Sequence, residues 1–115
     1  LKIKKYLRRI KMANVSFQKS DEVLAAYLEG EIDHHSAALL RTKIDAAIAS
    51  SAIKVLIMDF TAISFMDSSG VGLILGRHKL MSALGGRVLV QSAPQSIYKM
   101  LAMAGIATEE KGVKA

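Results

Sequence analysis

"IKVLIMDFTAISFMDSSGVGLILGRHKLMSALGGRVLVQS", residues 53–92, carries the pattern that decides the fold. It opens with "IKVLIMDF", a β-branched and apolar run that reads as a strand buried on both faces. A polar tip follows, Asp67-Ser68-Ser69, and starts a helix from about Ser68 to Leu84 that Gly85-Gly86 stops. "RVLVQS" is another buried strand. Strand, helix and strand in immediate succession make a βαβ unit, whose crossover is right-handed where the strands are parallel.

Upstream, "NVSFQKS" and "EVLAAYLEGEID" read as two hairpin-related strands around the turn-like Ser20-Asp21. The second has little polar content between Val23 and Leu28. Asp33 then caps a helix from about His34 to Ser50, with Leu40, Ile44, Ala47 and Ile48 as its apolar stripe. Downstream, Pro94 suits the first turn of a third helix, with Ile97, Leu101 and Ala104 inward and Gly105 ending it. The order ββαβαβα predicts an α/β fold with a small mixed sheet of about four strands flanked by helices. Residues 1–12 read as a basic extension, 13–105 as the domain, and 106–115 as a short polar tail.

A chain of 115 residues suits one domain, and a hydrophobic content of 51% is too high for disorder. The absence of cysteine excludes disulfides, thiolate metal sites and thiol nucleophiles. The apolar runs are too short to cross a bilayer and nothing resembles a signal peptide, so the expected location is the cytoplasm. The net charge of +6 is unevenly placed. Residues 1–20 hold seven basic groups and no acid, whereas the rest hold nine basic and ten acidic groups. The body is therefore almost neutral, and direct nucleic-acid binding is not expected. The arm "LKIKKYLRRIKM" spaces Ile3, Leu7 and Ile10 helically among cations. It reads either as an extension before a natural start at Met12 or as a segment, residues 1–11, that touches a membrane surface.

Catalytic motifs do not fit the polar tip. A nucleophile elbow needs glycine two residues before and after the serine. Ser68 has Met66 and Gly70 there, and Ser69 has Asp67 and Val71. No phosphate loop ending in Gly-Lys-Ser/Thr is present, and Gly70, Gly72 and Gly76 are one residue too widely spaced for a dinucleotide fingerprint. Adjacent His34 and His35 point about 100° apart on a helix and do not chelate one ion together. Asp33 and Asp67 each stand at a strand-to-helix junction, at one end of a parallel sheet, where open α/β sheets place their sites. Ser68 and Ser69 begin a helix, whose free N–H groups and dipole favour added negative charge. The three glycines either admit another protein's backbone or allow close helix-on-sheet packing. Phe65 and Met66, in the connection before the tip, either anchor it from beneath or lie exposed for a partner.

"LEGEIDHHSAALL" and "ISFMDSSGVGLILGRHK" together resemble the anti-sigma factor antagonists of the STAS-domain family, in particular the sporulation antagonists of spore-forming bacteria. The likeness runs from about Met12 to Gly105. It implies a protein with no catalysis or cofactor of its own, which binds an anti-sigma factor that is also a serine kinase. The kinase brings ATP and magnesium and phosphorylates the first serine of Asp-Ser-Ser-Gly, here Ser68, and a serine phosphatase reverses this. Asp33 falls at the position expected to contact the kinase, and His34, Met66, Asp67, Ser69, Gly70 and Gly72 complete the expected partner surface. The resemblance also allows an alternative, a STAS-type accessory subunit of a membrane transport system.

Overall fold

The computed structural model describes residues 12–109; the basic segment 1–11 and the tail from 110 lie outside it. Strand β1 (Asn14–Ser20) and strand β2 (Val23–Ile32) form an antiparallel hairpin around Asp21, which takes a positive φ of 52°. Helix α1 (His34–Ala49), strand β3 (Val55–Met66), helix α2 (Ser68–Ala83), strand β4 (Arg87–Gln91), helix α3 (Gln95–Met103) and strand β5 (Ala107–Glu109) follow. The sheet order is β1-β2-β3-β4-β5, parallel from β2 onward. The expected α/β sheet of about four strands is present, and a three-residue edge strand extends it where a polar tail was expected.

Because each parallel crossover joins neighbouring strands in one direction, right-handed connections carry every helix to the same face. The core shows this. Leu24, Ala26 and Leu28 of β2, Leu56, Met58 and Phe60 of β3, and Val88 and Val90 of β4 are buried on that face. They form one cluster with Leu40, Ile44 and Ile48 of α1, Leu73, Ile74 and Met81 of α2, and Leu101 of α3. The opposite face is not sealed among the described residues: Val55, Ile57 and Asp59 are half-buried and Tyr27 is exposed. This corrects the reading of "IKVLIMDF" as buried on both faces, since one-sided helices leave alternate residues half-open. Ala104 likewise lies exposed, beyond the end of α3.

Strand β3 continues six residues past Phe60, through Met66. Ala62, Ile63, Phe65 and Met66 pair with Glu29, Gly30, Glu31 and Ile32 across two register shifts. Those irregularities break the period of two, so "TAIS" shows no alternation in sequence. Phe65 and Met66 are therefore the end of a strand, and Asp67 alone separates β3 from α2. Gly30 adopts φ +93°, and a Cβ there would lie 2.6 Å from the Met12 carbonyl oxygen, so the chain passes over β2 only because this residue is glycine.

Candidate functional site

Two acid-capped helices start side by side. Ile32 and Met66, the last residues of β2 and β3, are register partners in the parallel pair. The next residues, Asp33 and Asp67, therefore leave the sheet together, and the Asp67 N–H donates to the Ile32 carbonyl at 3.1 Å. Asp33 and Ser36 form a reciprocal capping box: Ser36 N–H donates to Asp33 Oδ1 at 2.9 Å, and Asp33 N–H donates to Ser36 Oγ at 2.8 Å. Asp67 Oδ1 accepts from Ser69 N–H at 2.8 Å. The Ser36 backbone N–H, then its hydroxyl, hold the Asp33 carboxyl below the ordinary aspartate value.

Asp33, His34, Asp67 and Ser68 are all exposed at this edge. Ser68 is the first residue of α2, and its hydroxyl makes no hydrogen bond among the described residues. Ser69 is half-buried and its N–H is committed to the cap. Beneath them the two large apolar residues divide their roles. Met66 packs against the core under Gly70, where an added Cβ would lie 2.7 Å from Met66 Sδ. Phe65 faces out, 55% exposed. The tip is thus anchored from beneath by one residue and presents the other.

Gly72 and Gly76 are not explained by tight packing, because a Cβ at either would meet nothing within 4 Å. They border a groove of about 520 Å³ between α1 and α2, together with His34 and Arg41 on one side and Ser69 and Arg77 on the other. Arg77 is buried and its Nε lies 2.9 Å from Asp45 Oδ1 on α1. Burial lowers the Arg77 guanidinium below its ordinary value, and Asp45 opposes that effect. Sequence reading passed over Arg41, Asp45 and Arg77. A signal for Arg77 was available: it stands four residues after Leu73 and four before Met81, on the stripe that is buried, where a charge needs a partner.

The STAS domain family model matches residues 14–113. The chain belongs to the STAS-domain family. It is 37% identical over 98 residues to the anti-sigma F factor antagonist of Lysinibacillus sphaericus, covering 80% of this chain and 84% of that protein. It is also similar to the anti-sigma F factor antagonist of Paenibacillus polymyxa, 37% identical over 73% of this chain and 72% of the relative. Among solved structures, the anti-sigma factor antagonist SpoIIAA in its unphosphorylated form superposes with a TM-score of 0.71 at 34% identity, covering 84% of this chain and 87% of that one. No described helix is long and apolar enough to cross a membrane.

Proposed function

We propose that this STAS domain is a cytoplasmic anti-sigma factor antagonist, switched by phosphorylation of Ser68. In the unphosphorylated state it binds an anti-sigma factor that is also a serine kinase, and so frees the sigma factor for transcription. The kinase, carrying ATP and magnesium, transfers a phosphoryl group to Ser68 Oγ, and a serine phosphatase removes it. The observation that carries this reading is the free, exposed Ser68 hydroxyl at the start of α2, beside the paired Asp33 and Asp67 caps.

The electrostatics support a switch without refolding. A phosphoserine adds about −1.5 to −2 charges at neutral pH. The helix N-terminus accommodates that charge within its own fold. The two neighbouring carboxylates do not: at roughly 6 Å and an effective dielectric near 20, a like-charge pair costs about 2–3 kcal/mol before salt screening. The added charge and bulk stand where a partner would close on the bare hydroxyl, and a partner that does not offset them loses affinity by an amount of this order. A loss of that size weakens binding by about 100-fold.

The reading is tested with recombinant anti-sigma F factor, ATP and magnesium, following intact mass and binding. The chain gains one phosphate, Ser68→Ala gains none yet still binds, and Ser68→Asp binds more weakly. Phosphate retained in Ser68→Ala and lost in Ser69→Ala would move the acceptor by one residue. No phosphate and no binding would overturn the reading.

A further inference from the structure

We infer that the groove between α1 and α2 seats an acidic segment of the anti-sigma factor, with a partner carboxylate paired to Arg41. This rests on the proposed function and extends it beyond the capped tip. Three observations converge. The groove is open where α2 faces α1, because Gly72 and Gly76 lack side chains at positions where a Cβ would meet nothing. These two glycines lie one helical turn apart, about 6 Å along the axis, which matches the i, i+4 spacing of one face of a docking helix.

Charge selects the occupant. Two guanidinium groups, Arg41 and Arg77, border the groove, and Asp45 pairs with Arg77 alone. Arg41 is exposed and forms no ion pair among the described residues. It also repels the Arg77 charge, so a carboxylate entering between α1 and α2 satisfies one arginine and relieves both. A basic or wholly apolar segment lacks this gain. An acidic one fits both the space and the sign.

Position ties the groove to the switch. Its border includes His34, adjacent to Asp33, and Ser69, adjacent to Ser68. A phosphate on Ser68 adds negative charge at the mouth through which the acidic segment enters. The same modification thus repels the groove's occupant in addition to altering the tip.

The test measures binding of the anti-sigma F factor of Lysinibacillus sphaericus to the unphosphorylated chain and three variants, with thermal melts alongside. Arg41→Glu reverses an exposed charge, and Gly76→Leu fills the groove. Each is expected to weaken binding by about tenfold or more, while Arg41→Lys stays within about threefold of the parent. Raising salt slows association of the parent more than that of Arg41→Glu. Should Gly76→Leu lower the melting temperature, Arg41→Glu decides. Unchanged binding by Arg41→Glu overturns the groove assignment, and a persisting loss in Ser68→Asp then leaves the proposed function standing. If the parent chain itself fails to bind, both fall.

Discussion

The Arg77–Asp45 pair predicts an asymmetry between two mutations that remove the same contact. The Arg77 side chain is 8% exposed and that of Asp45 is 38% exposed, with Nε and Oδ1 2.9 Å apart. Taking charge centres about 4 Å apart and an effective dielectric near 20, the attraction is about 4 kcal/mol. Desolvation of the buried guanidinium costs several kcal/mol and nearly cancels it. In Asp45→Ala the guanidinium stays behind, buried and uncompensated. The vacated carboxylate site is partly open, so water reaches in and limits the loss. Alanine also returns up to about 0.7 kcal/mol of helix propensity. The expected net loss is about 2 kcal/mol. In Arg77→Met the buried charge disappears, an apolar chain of similar length fills the space, and Asp45 returns to water. That change costs about 1 kcal/mol or less. Urea unfolding at neutral pH measures both, and the double variant closes a cycle that isolates the coupling. A melting difference of about 4–8 °C per kcal/mol makes the ordering visible in thermal scans too. If Arg77→Met proves more destabilising than Asp45→Ala, the account of α1 and α2 held by a compensated buried charge is wrong.

The glycines of α2 separate in the same assay. Gly72→Ala stabilises by up to about 1 kcal/mol, because the helix gains propensity and the Cβ meets nothing, whereas Gly70→Ala presses on Met66 Sδ at 2.7 Å and gains little or loses. Gly86→Ala is expected to cost about 1–3 kcal/mol, since its Cβ would lie 2.5 Å from the Lys54 backbone carbonyl, which cannot swing away. For Asp33 the direction with pH follows from its lowered folded value relative to the ordinary 3.8. The unfolded chain takes up the proton first, so the cap's contribution is full above that value and is lost as pH falls through it and below. Acid titration of Asp33→Asn, which keeps an acceptor but no titration, removes this part of the pH dependence.

Much of this arrangement was legible from residue order. The βαβ run at 53–92 carries its own period changes, and Asp33 and Asp67 declare themselves as caps because an acid precedes each apolar helix. Residue order put both at one end of a parallel sheet; that they stand side by side comes from the Ile32–Met66 register of β2 and β3. What stayed hidden depends on registers that local pattern does not encode. The bulged half of β3 lacks alternation, so Phe65 and Met66 looked like a connection, and only the pairing with Glu31 and Ile32 shows which one faces out. Gly72 and Gly76 read equally well as packing or as access; the answer depends on how far α1 stands from α2. Arg41 and Asp45 sit on a helix whose sequence suggests ordinary surface, and their relation to Arg77 exists only across two elements. The three-residue β5 is too short for any periodicity to announce.

Strand order in this sheet equals strand order in the chain, from β1 to β5. Each new strand is laid beside the one just made, so no later segment has to be inserted between two earlier ones. A chain emerging from the ribosome can add one strand-and-helix layer at a time onto the initial hairpin. The capped edge, built from the ends of β2 and β3 and the starts of α1 and α2, needs nothing beyond α2 in sequence for its own residues. Substitutions in α3 or β5 therefore fall on the last-added layer, away from the residues proposed to switch.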